Sequence, residues 1–156
     1  MRGLQATACA VALGLGGVAA AAADAPDITG AWRAETYELS TGQHYPVEGL
    51  ITFTATDWTV VYFVMPEGAG AQRGEGGGGT YTLEDDRLTF THLFHMSAGS
   101  ELPGLPASDL RMVARRDPSS APAEAARVDR TGDRLTIYFP SGNTLVFRMS
   151  SGPAGR

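Results

Sequence analysis

The sequence predicts an all-β fold: one antiparallel, up-and-down barrel of about eight strands behind a short N-terminal leader. Three observations predict it. Gly79 to Phe94 reads as a β-hairpin, in which Tyr81 and Leu83 alternate with Thr80 and Thr82. After the polar break Glu84-Asp85-Asp86, Leu88, Phe90, His92 and Phe94 alternate with Arg87, Thr89, Thr91 and Leu93. Period two on both sides of a turn marks half-buried strands. A diverged copy lies at Arg127 to Phe139, and both copies carry Asp-Arg-Leu-Thr before a large apolar residue (Asp86 to Phe90, Asp133 to Ile137). The remaining apolar runs follow one another in hairpin order, with no long helical pattern between them. Eight such strands close into a barrel with room for one small ligand, and closure removes the exposed edges of an open sheet.

The leader comes first. Met1-Arg2-Gly3 is a short basic start, Leu4 to Val18 is uncharged and apolar, and Ala21-Ala22-Ala23 supplies a small-residue cleavage site before Asp24. This is the layout of a secretory signal peptide over residues 1–23, with the barrel domain over 24–156 in the periplasm or secreted. Glycine, threonine and alanine make the run a poor membrane span, so no stable membrane anchor is expected. The single cysteine, Cys9, lies inside the leader, and Ala6-Thr7-Ala8 before it lacks the large aliphatic residue of a lipobox. The mature domain therefore has no disulfide and depends on its core alone.

In order, a first strand runs from about Gly30 to Ser40. Trp32 and Ala34 share one face before Tyr37 and Leu39 take over, and a bulge near Glu35 explains the switch. Thr41 to Pro46 reads as a loop, and Leu50 to Ala55 as the second strand. Trp58 to Met65 is a third strand, apolar on both faces, so it is covered twice or has a cavity on one side and a partner on the other. Glu67 to Gly79 is glycine-rich. It lacks the Gly-Lys-Ser/Thr and following helix of a phosphate loop, and reads as a linker or barrel-mouth loop. The opening hairpin follows, then a loop from Met96 to Pro106. Ser108 to Arg116 is a helical turn or a short strand. Asp117 to Pro122 is a loop, Glu124 to Arg130 and Arg134 to Phe139 form the second hairpin around Thr131-Gly132-Asp133, and Thr144 to Met149 closes the domain.

These residues carry a resemblance. Ile28-x-Gly30-x-Trp32 with Tyr37, Gly49-Leu50-Ile51-x-Phe53, Gly79-x-Tyr81 leading to Asp86-x-Leu88-x-x-Thr91-His92, and Arg127-x-Asp129 leading to Gly132-Asp133-x-Leu135-Thr136 together span nearly all of the mature chain. The chain resembles the bacterial lipocalin-like domains, architectural relatives of the calycins. It departs at Thr56-Asp57-Trp58, where such domains commonly carry Asp-Gly. The resemblance implies the barrel, a small apolar ligand, and an opening tryptophan packed across one barrel end. It implies no catalytic residue.

Composition and motifs bound the chemistry. All 12 basic residues are arginine, and without Arg2 the mature chain has 11 against 17 acidic residues, a formal charge of −6. Nucleic acid is therefore not an expected partner. Arg111, Arg115 and Arg116 read as a solvated face. The serines sit in loops outside any nucleophile-elbow pattern, and Asp85-Asp86 belongs to a turn that favours Asp for backbone reasons. His92 and His95 stand three apart, on opposite faces of a regular strand. They would share an ion only if the strand broke near Phe94, so no metal and no cofactor is expected, and His95 reads as exposed. His92, between Phe90 and Phe94 on the inward face, is either a hydrogen-bonded core residue or a polar group set in an apolar cavity.

The preferred reading is an exported protein that binds a small apolar or amphipathic molecule in its lumen. The expected lining is Trp32, Phe53, Tyr62, Tyr81, Phe90, His92, Ile137 and Phe147. One alternative is an isomerase or cyclase using His92 as acid or base. The other is a barrel filled by its own side chains that acts through its loops. N-terminal sequencing of the exported protein is expected to begin at Asp24; a membrane-held chain that keeps Met1 would contradict the leader.

Overall fold

Nine strands carry the chain through residues 25–151, which the computed structural model describes. The leader and its cleavage site lie outside the described residues. The strands are β1 (Gly30–Glu38), β2 (His44–Phe53), β3 (Asp57–Val64), β4 (Arg73–Glu84), β5 (Arg87–Gly99), β6 (Ser108–Ala114), β7 (Ala123–Thr131), β8 (Arg134–Tyr138) and β9 (Thr144–Met149). All pairings are antiparallel. Eight strands close a barrel in the order β1-β2-β3-β4-β5-β7-β8-β9, with β9 returning to β1. The ninth, β6, is an appendage. The long β5 pairs with β7 through Arg87 to Thr91 and with β6 through Phe94 to Gly99, so β6 flanks only its distal half.

Local sequence explains most elements. In β2, Tyr45, Val47, Ile51 and Phe53 alternate inward. In β1 the ladder to β9 shifts between Ala34 and Thr36, so Glu35 is the extra residue that the face switch implies. Glu35 then receives Arg148 at 2.6 Å, and Arg148 also donates to Asp133 at 2.9 Å. The β4–β5 turn holds Asp85 at a φ of 55°, and the β7–β8 turn places Gly132 at 64°, the left-handed geometry that Asp and Gly tolerate.

Three expected loops need correction, and two open readings are resolved. The stretch Arg73 to Gly79 is not a loop: Gly74, Gly76, Gly77, Gly78 and Gly79 are ladder residues of β4, paired to both β3 and β5. The glycines alternate, and on the outer surface the rings of Phe63 and Phe94 lie across Gly74 and Gly78. Neighbouring side chains thus cover a backbone that glycine leaves bare. His44, Tyr45 and Pro46 belong to β2 and not to a loop, and β5 continues through Gly99. Ser108 to Ala114 resolves as a strand because Met96 and Phe94 pair with Met112 and Ala114. The two-faced apolar character of β3 divides: Trp58, Tyr62 and Val64 point inward, while Val61 and Phe63 stay outside beside Met96 and Leu110.

One barrel end is plugged. Trp32 is fully buried, and its Nε1–H donates to the Ile28 carbonyl at 2.8 Å. The Arg130 guanidinium lies 5.3 Å from the Trp32 ring centre and reaches the Asp27 carbonyl. Phe147, Leu135, Val128 and Leu88 complete the core near this end. Truncating a buried aromatic costs about 3–5 kcal/mol, a large part of the roughly 5–15 kcal/mol that holds a domain folded. Trp32→Ala is expected to lower the thermal midpoint sharply or prevent folding; an unchanged midpoint in a calorimetric scan would contradict the plug.

Candidate functional site

The opposite end of the barrel encloses a cavity of about 210 Å³. Its floor is apolar: Ile51 from β2, Trp58 and Val60 from β3, Phe90 from β5, and Ile137 and Phe147 from β8 and β9. Its mouth is polar: Tyr37, Tyr62, Glu75, His95, Glu124 and Asn143. The space exists because of β4. On the inner face Ile51, Val60, Gly77 and His95 stand side by side across four strands, and Gly77 contributes no side chain to that row. A glycine inside a strand often marks such an approach of ligand or backbone.

The histidines reach this mouth through a bulge. Gly78 pairs with Phe94 and Gly79 with His92, so Leu93 is the extra residue of β5. A Cβ on Gly79 would run into the Thr91 carbonyl, so the bulged strand can lie this close only to a glycine. The bulge reverses the facing of everything after it. His95 therefore joins His92 in the cavity wall, and Phe94 turns outward. Both placements differ from those of a regular strand, which put Phe94 inside and His95 in solvent. Among the described residues no three histidine, cysteine or carboxylate side chains group as a metal site.

A set of hydrogen bonds orients the polar groups. Tyr62 donates its phenol proton to Glu75 Oε2 at 2.7 Å, and Asn143 Nδ2 donates to the Tyr37 oxygen at 2.9 Å. His92 Nε2 lies 3.1 Å from Glu124 Oε2, and His95 Nε2 lies 3.2 Å from Ser97 Oγ. Tyr37 and Tyr62 meet edge to face at 6.1 Å, and His92 meets Trp58 likewise at 5.1 Å. Burial pushes the Tyr62 phenol well above its ordinary pKa, and the Glu75 carboxylate adds to the shift. Tyr37 is raised by the same two causes. Both phenols therefore remain neutral hydrogen-bond partners throughout the physiological range. Trp58 is different: its indole is 5% exposed, yet Nε1 has no hydrogen-bond partner.

Of the eight expected lining residues, Tyr62, Phe90, His92, Ile137 and Phe147 meet in this cavity. Trp32, Phe53 and Tyr81 do not. Trp32 belongs to the plug, Phe53 packs on Tyr81 and Phe90 in the core, and Tyr81 turns its hydroxyl to the Thr54 carbonyl at 2.7 Å. All three lie on the plugged half of their strands, which alternation alone does not reveal. Sequence reasoning missed Glu75, Tyr37, Trp58, Glu124, Asn143 and His95. Glu75 had a readable signal, since Arg73-Gly-Glu-Gly-Gly77 already alternates with period two.

No protein-family model matches the chain, and no curated protein matches it. Two solved structures align with it. One is a lipocalin-like protein from Bacteroides uniformis ATCC 8492, at 15% identity and a TM-score of 0.49. The other is an uncharacterized protein from Bacteroides eggerthii DSM 20697, at 17% identity and a TM-score of 0.50. Each alignment covers 80% of this chain and 100% of the other. The likeness to the second is one of fold alone. The closed, consecutive, antiparallel eight-stranded barrel is lipocalin-like in architecture, as the opening motifs imply.

The raised phenols carry a testable consequence. A group whose folded pKa is raised supports the fold below its unfolded pKa, near 10 for tyrosine, and loses that support as pH rises through the folded value. Stability is expected to fall above about pH 10. Tyr62→Phe should flatten that fall in urea titrations at pH 9 to 11; a parallel decline in parent and variant would contradict the buried phenol.

Proposed function

We propose that this chain is an exported binding protein that holds one compact amphipathic molecule in the barrel lumen. The observation that carries the reading is the cavity itself: an apolar floor, a polar mouth and one plugged end, in a volume of about 210 Å³. Small-molecule sites typically combine apolar walls with a few placed polar groups. The volume is below the roughly 300–1,000 Å³ of drug-sized sites, so the ligand is nearer a single ring with a polar head than a long lipid. Export rests on the leader at residues 1–23. A second reading, an enzyme in the same lumen, draws on the 3.1 Å contact between His92 and Glu124, since a carboxylate that orients an imidazole is a usual acid/base arrangement. Chemical change of a bound probe would distinguish the two.

The expectation is tested by titrating 2-naphthol, a fluorescent single-headed probe, against the parent and three variants. Losing one hydrogen bond to a ligand costs about 0.5–1.5 kcal/mol, a two- to tenfold weakening. His92→Phe and His95→Phe should each weaken binding to that extent, because the bulge puts both in the wall. Met112→Ser, on the outer surface, should leave it unchanged. Absence of saturable binding to the parent would overturn the proposal.

A further inference from the structure

We propose that the lumen selects a small organic ammonium compound; this rests on the small-molecule reading above and specifies its ligand class. The charges on the wall are one-sided. Glu75 and Glu124 line the cavity, Glu124 already facing His92 at 3.1 Å; no arginine lines it, and the chain contains no lysine. Glu75 accepts the Tyr62 proton but has no cation within ion-pair distance among the described residues. Arg73, two residues earlier on β4, is held elsewhere, donating to the Ser100 and Pro106 carbonyls at 2.7 and 2.6 Å. Burial keeps the Tyr62 phenol neutral, so it meets Glu75 as a hydrogen-bond donor and not as a second negative charge. A half-buried carboxylate without a counter-charge interacts far more strongly with a cation than an exposed one does. An anionic ligand would meet like charge, which disfavours binding.

A further feature fits the same chemistry. The mouth and floor present the aromatic rings of Tyr37, Tyr62 and Trp58, whose faces attract ammonium groups.

Calorimetric titration with three compounds of one skeleton tests the inference: tyramine, tyrosol and 4-hydroxyphenylacetate, which share a phenol and end in a positive, neutral or negative group. Tyramine is expected to bind about tenfold tighter than tyrosol, and the acid weakest of all. Glu75→Gln, which keeps an acceptor for Tyr62, should bring tyramine to the affinity of tyrosol and leave tyrosol unchanged. Equal binding of the three compounds, or a preference for the acid, overturns the ammonium inference and leaves the small-molecule reading standing. A preference for tyramine that survives both Glu75→Gln and Glu124→Gln overturns it too. Failure of all three to bind the parent protein removes both readings together.

Discussion

The pairing of β4 with β5 is the contact on which the rest of the molecule depends. It closes the barrel, and it is made by a run of glycines. A side chain at Gly79 would strike the Thr91 carbonyl, so with Leu93 bulged out the two strands can stay paired through this point only because residue 79 is a glycine. Glycine loses more conformational freedom on ordering than any other residue. The run is stable because both ladders of β4 are complete and because Phe63 and Phe94 cover it from outside.

That one contact also produces the cavity. Glycine at position 77 leaves the inner row between Val60 and His95 unfilled, and the bulge swings His95 toward the gap. Packing normally fills protein interiors to crystal-like density. Here the plugged half obeys that rule around Trp32, while the other half carries a floor of apolar residues below a hydrogen-bonded mouth. The division matches the strand ends: residues near the start of β1 and the end of β9 pack, and those near the turn of Asn143 and Ser141 face the opening.

The polar groups of the mouth constrain one another before any ligand arrives. Tyr62 holds Glu75, Asn143 holds Tyr37, and Glu124 and His92 face each other. Oriented groups lose less freedom on binding than free ones, which raises affinity for a ligand of matching polarity. The Trp58 indole nitrogen is the exception among the buried side chains described, since its donor points to no protein acceptor.

By itself the sequence determined the class of fold, most strand positions, the two Asp-Arg-Leu-Thr hairpins, the bulge at Glu35 and the buried Trp32. Each is written in local alternation or in turn residues, which act over a few positions. It also placed Phe90, His92, Ile137 and Phe147 on inward faces, because period two assigns a face wherever a strand is regular. Tertiary structure alone decided the rest. Whether Gly74 to Gly79 lies in a strand depends on neighbours that cover bare backbone, and glycine carries no alternation of its own to announce them. Whether His95 and Phe94 point in or out depends on a bulge forced by contact with Gly79. Which inward residues meet the cavity and which meet the plug depends on strand stagger around a closed barrel, and stagger is a property of the pairings, absent from any one strand.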